Sequence, residues 1–95
     1  MKVRIEVLGL PSLARLIGKK GELEFSGSTV TDIVNDIVGR HGQKARKIML
    51  DDDGRLDHVI QLMINNEGIM PRDHYDSREL KEGDDVKFML LVGGG

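Results

Sequence analysis

A segment with helical periodicity, preceded and followed by segments with strand-like alternation, limits what this chain can fold into. Its apolar residues follow the spacing i, i+3, i+4, i+7 and i+8, and they are Val30, Ile33, Val34, Ile37 and Val38. This spacing predicts one apolar face of an α-helix, with Thr29 as the N-cap and Gly42 just past its end. Because all five residues are β-branched, the helix must be stabilised by packing against a sheet rather than by intrinsic propensity.

Alternation of apolar and polar residues predicts the strands of that sheet. It occurs in residues 3–7, 22–25, 60–64 and 86–92, and Ile69-Met70 is a candidate for a short edge strand. A single helix covers only one face of such a sheet, so the other face stays open. Burial is best satisfied if the first and last strands are adjacent at the centre. The prediction is an α+β roll, with a mixed sheet of four to five strands packed on one main helix.

Composition excludes several classes of function. The chain has 95 residues, no cysteine, no tryptophan, two phenylalanines, one tyrosine and a net charge of −2. Disulfides and thiolate chemistry are therefore excluded, and the longest apolar run, residues 88–92, is too short to span a membrane. The chain has neither the net positive charge nor the aromatic residues for base stacking that nucleic-acid binding requires. We expect a cytoplasmic protein that binds neither nucleic acid nor membrane.

Catalytic and metal-binding motifs are not recognisable in the sequence. The histidines, His41, His58 and His74, do not have the spacing of metal ligands. The run Asp51-Asp52-Asp53-Gly54 is similar to part of a calcium loop, but an EF-hand aligned on that glycine would begin at Met49 and end at Ile60. We therefore interpret the run as a solvated turn, and we expect no metal site.

Two basic segments have ordinary structural explanations. Gly18-Lys19-Lys20-Gly21 is interpreted as a β-turn, because it precedes a strand instead of joining two helices. Lys44, Arg46 and Lys47 lie in residues 43–58, the part of the chain with the weakest pattern. We interpret them as the solvated exit of a helix, and a modest basic patch is the alternative.

The last three residues, Gly93-Gly94-Gly95, leave two interpretations open. They could be a frayed tail or a linker. Alternatively, because glycine has no Cβ, an extended triglycine could thread a narrow channel and deliver its carboxylate to a partner enzyme. A carboxylate resists attack by sulfide or an amine until it is activated, for example as an acyl adenylate made from ATP.

Taken together, these features resemble the MoaD/ThiS family of ubiquitin-like sulfur carrier proteins. The specific part is a Leu-x-x-Gly-Asp-x-Val motif, formed by Leu80, Gly83, Asp84 and Val86, and a terminal diglycine, Gly94-Gly95. Weaker similarity covers residues 3–7, 16–18, 28–30, 53–56 and 64–65. The chain departs from the family in residues 89–93, where many members have prolines and then an alanine or serine.

The resemblance implies a β-grasp (ubiquitin-like) domain over residues 1–92 and a flexible glycine tail over residues 93–95. An E1-like adenylating enzyme of the MoeB/ThiF type would use ATP to activate the carboxylate of Gly95, while Gly93 and Gly94 thread its active site. The product would be a thiocarboxylate, whose sulfur passes to a synthase that makes molybdopterin, thiamine or cysteine. The chain itself would be a carrier that binds no cofactor and is not an enzyme. A ubiquitin-like modifier conjugated through Gly95, or a β-grasp binding module with an inert tail, is the alternative.

Alternation in the last strand also predicts a partner-docking patch. The residues expected to pack on the helix are Val86, Phe88 and Leu90. Met89 and Leu91 would then lie on the open face with Met63, where flexible methionines and leucine suit a binding surface. The alternative is a second small cluster covered by residues 43–58.

Overall fold

The computed structural model describes residues 1–90, which form four strands and three α-helices. The elements are β1 (Lys2–Leu8), α1 (Pro11–Ile17), β2 (Lys20–Glu24), α2 (Val30–His41), α3 (Gln43–Met49), β3 (Ile60–Ile64) and β4 (Asp85–Leu90), with a 3₁₀ turn at Arg72–His74. They confirm the predicted α+β class. Every helix within these residues is too short or too polar to cross a membrane.

The sheet has the strand order β2-β1-β4-β3, so the first and last strands lie side by side at its centre. They run parallel, with Ile5 opposite Val86 and Val7 opposite Phe88. The outer strands β2 and β3 are antiparallel to their neighbours. The sheet is therefore mixed, as the burial argument predicted, and the candidate edge strand at Ile69 is reduced to a single bridge with Met63.

The predicted main helix is present as α2, and all five of its β-branched residues are buried. Its N-terminus has a reciprocal capping box, in which the backbone N–H of Asp32 donates to the Thr29 hydroxyl and the Asp32 carboxylate accepts from the Thr29 backbone. The helix ends at Gly42, which has a φ of 67° and is also the residue before the next helix. The sequence therefore predicted the beginning, the buried face and the end of this helix.

The second helix of this region, α3, was not predicted. Only Ala45 and Met49 of α3 are buried, and its exposed residues are polar or basic. These two side chains join the same core as α2 and the sheet, as does Leu56 in the following loop. Residues 43–58 therefore complete the single core and do not form a separate cluster over the open face.

One core lies between the sheet and the helices. Its strand residues are Val3, Ile5, Val7, Ile60, Leu62, Ile64, Val86 and Phe88. Leu90 was predicted to pack on the helix, but its side chain is 42% exposed. The prediction was wrong because Leu90, the last residue of β4, is not part of the core; it lies opposite Ile60 at the start of β3 and beside Gly9.

Candidate functional site

The start of β4 is held by the residues that carry the family resemblance. Asp84 accepts hydrogen bonds from the backbone of Lys81 at 2.8 Å and from the side chain of Asn65 at 3.1 Å. The side-chain amide oxygen of Asn65, Oδ1, in turn accepts from the backbone N–H of Asp85 at 2.9 Å. Gly83 has a φ of 84°, which a residue with a side chain rarely adopts. These contacts fix the direction in which β4 runs.

Odd-numbered residues of β4 face the side of the sheet that no helix covers. Among them Met89 is half-buried, and Met63 on β3 is half-buried on the same face. In the β3–β4 register Met89 is opposite Gln61 and Met63 is opposite Lys87, so the two methionines are diagonal neighbours. Diagonal pairs lie about 7–8 Å apart, within reach of long side chains. The structure thus brings together two of the predicted docking residues.

Two further apolar residues extend this surface and were not predicted. Leu8 is 42% exposed and lies opposite Met89 across the parallel β1–β4 pair. Ile69 is 49% exposed and is bridged to Met63. Leu8 could have been identified from its even-numbered position in β1, whereas Ile69 is positioned by a turn. We call Leu8, Met63, Ile69 and Met89 the apolar patch.

The turn that positions Ile69 is held by an ion pair. Arg78 donates from one guanidinium nitrogen to both carboxylate oxygens of Glu67, each at 2.7 Å. These hydrogen bonds hold the pKa of the Glu67 carboxyl below its usual range. The pair joins the segment after β3 to the segment before β4 at the protein surface.

The rest of the open face is charged, and its charges alternate across the strands. Each cross-strand neighbour pair on β2, β1 and β4 joins opposite charges, namely Lys2 with Glu24, Arg4 with Glu22 and Asp85, and Glu6 with Lys20 and Lys87. The amine of Lys20 lies 3.8 Å from the Glu6 carboxylate. The lattice consists of four cations and four anions, so it carries no net charge. The apolar patch is therefore the part of this face suited to a partner.

The remaining predicted site residues lie outside the described part of the chain. They are Leu91, Gly93, Gly94 and Gly95, and the predicted boundary between a domain of 1–92 and a tail of 93–95 also falls there. The described strand ends at Leu90, next to the Leu8–Met89 pair. Among residues 1–90, no three histidine or acidic side chains are grouped as a metal site would require.

Comparisons with known proteins extend this description. In fold, the chain is similar to the small archaeal modifier protein SAMP1 from Haloferax volcanii, with a TM-score of 0.74 and 23% identity over 100% of both chains. It is also similar to CysO from Mycobacterium tuberculosis, with a TM-score of 0.67 and 17% identity over 95% of this chain and 99% of that one.

A third similar structure is a putative molybdopterin converting factor, subunit 1, from Pyrococcus furiosus. Its TM-score is 0.65 and its identity 24%, over 97% of this chain and 99% of that chain. These likenesses establish the β-grasp, ubiquitin-like fold. No curated protein sequence matches the chain. The ThiS family model matches residues 12–95, nearly the whole sequence, so the chain belongs to the ThiS family.

Proposed function

We propose that this protein is a sulfur carrier whose Gly95 carboxylate is activated and converted to a thiocarboxylate. The observation that carries the proposal is the family match, which runs through to Gly95 of this sequence and includes the diglycine. The geometry supports it, because the Asn65–Asp84 network fixes the strand that leads toward those residues. CysO and the molybdopterin converting factor, both of the same fold, bear names that belong to sulfur and cofactor chemistry.

The chemistry needs a partner enzyme of the adenylating, E1-like class. An oxygen of the Gly95 carboxylate attacks the α-phosphorus of ATP, and pyrophosphate leaves, which gives an acyl adenylate. Hydrosulfide, or an equivalent delivered by a second partner, then attacks the acyl carbon and displaces AMP. The chain itself supplies no acid, base or metal ligand to either step. It presents a terminus in which glycines leave room for a close-fitting active site.

The apolar patch, together with Leu91, which follows Met89 by two positions in the sequence, is the proposed docking surface for this enzyme. Its methionines and leucines can adapt to a partner, and burying them removes apolar surface from water. A sulfur-accepting synthase would use the same surface later, because it must reach the same terminus. The two partners would then bind one after the other.

Mass spectrometry tests the proposal directly. Purified protein is incubated with its adenylating enzyme, ATP and a sulfide source, and the intact mass is measured. We expect the exchange of one terminal oxygen for sulfur, and no exchange in a variant that lacks Gly94 and Gly95. An unchanged mass in the wild-type protein, under conditions where the enzyme hydrolyses ATP, would contradict the proposal.

A second candidate, a protein modifier, is favoured by the likeness to proteins described as small archaeal modifiers. In that case the activated Gly95 would be transferred to lysines of other proteins. Trypsin cleaves after Lys87, so a conjugated lysine would carry residues 88–95 as an isopeptide-linked remnant. Such remnants in digests of cell extracts would support the modifier, and their absence from cells that make the protein would exclude it. If deletion of Gly94 and Gly95 leaves the cellular phenotype unchanged, the chain is instead a binding module with an inert tail.

A further inference from the structure

A groove between α1 and α3 lies away from the open face of the sheet. It has a volume of about 380 Å³ and is lined by Ser12, Arg15, Leu16, Lys44, Lys47 and Ile48. Each helix contributes residues at i, i+3 and i+4, the spacing of one helical stripe, so the two helices present matching rows. Leu16 and Ile48 are half-buried against the core and form the apolar floor, while the three cationic residues are exposed around it.

The two chain segments that contain α1 and α3 are basic, and three of their cations, Arg15, Lys44 and Lys47, line the groove. Residues 9–21 and 39–50 contain seven lysines and arginines and no acidic residue. The rest of the chain holds the other seven basic residues and all 16 acidic ones. Within residues 1–90, Arg15, Lys44 and Lys47 take part in no ion pair. Each cation of the sheet lattice, by contrast, has an acidic residue as its cross-strand neighbour. A partner that brings negative charge would relieve the repulsion between these cations.

The aromatic residues argue against nucleic acid as that partner. Phe25, Tyr75 and Phe88 are all buried, so none of the described surface offers a ring for base stacking. An anionic membrane is also disfavoured, because the residues outside these two segments carry an excess of acidic side chains that it would repel. A concave, apolar floor surrounded by cations matches a short segment that carries both acidic and apolar side chains.

The groove also lies close to the end of the last strand. Because β1 and β4 are parallel, α1 begins at the end of the sheet where β4 ends, and a Cβ on Gly9 would lie 3.4 Å from Cβ of Leu90. A protein that engages the residues after Leu90 is thus within reach of α1. We propose that the groove between α1 and α3 binds an acidic segment of a partner protein, with an apolar side chain seated on Leu16 and Ile48. This proposal does not depend on the chemistry at Gly95.

Peptide selection against the full chain tests the proposal. A display library of short random peptides is selected on the immobilised protein, and enriched peptides are synthesised for titration by fluorescence anisotropy and NMR. We expect enriched sequences to combine Asp or Glu with one or two large apolar residues, and to shift the amide signals of Arg15, Leu16, Lys47 and Ile48. Failure to enrich such sequences, or shifts confined to other surfaces, would overturn the proposal.

Matched variants identify the cause of binding. The double variant Lys44→Glu/Lys47→Glu should lower the affinity for the selected peptides by about tenfold or more. The neutral double variant Lys44→Gln/Lys47→Gln should lower it less. The control Arg55→Glu/Lys81→Glu changes the net charge equally at exposed sites outside the groove and should leave affinity unchanged. If both pairs of Glu substitutions weaken peptide binding equally, the groove is not a specific site. The proposal would also be refuted if anionic vesicles or an oligonucleotide bound to the same residues more tightly than the peptides do. Circular dichroism of each variant verifies folding.

Discussion

At the scale of single residues, Gly27 and Gly39 show how the same residue type is required at one place and tolerated at another. Gly27 has a φ of 131°, and a Cβ there would lie 2.6 Å from Cβ of Asp32. Gly39 lies within α2, and a Cβ there would meet nothing within 4 Å. The loop before α2 therefore requires glycine for its backbone conformation, whereas the helix does not.

Alanine substitutions should accordingly have opposite effects at the two positions. Gly27→Ala should lower the free energy of unfolding by about 1–3 kcal/mol, because it introduces backbone strain and displaces the capping carboxylate. Gly39→Ala should raise it by about 0.5–1 kcal/mol, because alanine has the higher helix propensity. Urea denaturation measures both. A stabilising Gly27→Ala would show that the loop adopts another conformation.

Asp32 should make stability depend on pH. Hydrogen bonds from the backbone N–H of Ser28, at 2.8 Å, and of Thr29, at 3.1 Å, lower the pKa of the Asp32 carboxyl in the folded protein. Its stabilising contribution is therefore complete above the unfolded pKa of about 3.9 and is lost as the pH falls through the lower, folded pKa. Asp32→Asn should be less stable than wild type at neutral pH, and the difference should shrink below about pH 4.

Urea midpoints at neutral and acidic pH test this expectation. Asp52→Asn serves as the control, because Asp52 is exposed and lies in a turn far along the chain from the cap. If the difference between wild type and Asp32→Asn is the same at both pH values, the carboxylate charge does not contribute. The cap pair Thr29 and Asp32 was visible in the sequence as a spacing, whereas the need for Gly27 was not, because a positive φ leaves no periodic pattern.

At the scale of elements, the charged lattice on the sheet makes β1 sensitive to charge reversal. Arg4 lies between Glu22 on β2 and Asp85 on β4. Arg4→Glu would place three carboxylates in one row and should destabilise the fold by roughly 1 kcal/mol at low salt. Added salt should reduce this effect, because the groups are exposed and screening weakens their repulsion.

A charge-swapped double variant is the matched test of this lattice. Arg4→Glu/Glu22→Arg restores the attraction between β1 and β2 and should recover part of the lost stability. Thermal unfolding of the single and double variants at low and high salt measures the coupling. A double variant no more stable than Arg4→Glu would mean that cross-strand charge pairing contributes nothing to this sheet.

The elements also differ in how well the sequence predicts them. The helix α2 was predicted because five apolar residues repeat its period, and β3 because three buried residues alternate in Ile60–Ile64. The helix α3 escaped prediction because only Ala45 and Met49 of it are buried, and two residues cannot establish a period. Leu90 was misplaced because alternation reports the side of a strand but not where the covering layer stops.

At the scale of the whole molecule, the central position of the first and last strands was predictable from burial. Two terminal strands with apolar faces are best buried side by side at the centre of the sheet, and β1 and β4 occupy these positions. The full apolar patch was only partly predictable, since Met63 and Met89 follow from alternation. Ile69 was expected only as a short edge strand; its place beside Met63 follows from the turn after β3, in which the backbone N–H of Met70 donates to the Leu62 carbonyl at 2.8 Å. The identity of the protein that binds this surface depends on the partner's own residues, which the sequence of this chain does not contain.

The proposed docking surface leads to a prediction about partner binding. Met89 is half-buried on the open face beside Leu8, and its side chain is not part of the core. Met89→Asp should therefore preserve the fold while placing an unpaired charge inside a buried interface, which is costly. We expect its affinity for the adenylating enzyme to fall by about tenfold or more, as measured by calorimetric titration.

The control for this prediction adds the same charge elsewhere. Ser26 is exposed in the loop after β2, at the opposite end of the sheet from Met89, so Ser26→Asp should bind the enzyme like wild type. The melting temperature of both variants should stay close to that of the parent, which separates loss of binding from loss of folding. If Met89→Asp binds as tightly as Ser26→Asp, the enzyme does not contact the apolar patch, and recognition lies with the terminal residues or with the groove between α1 and α3.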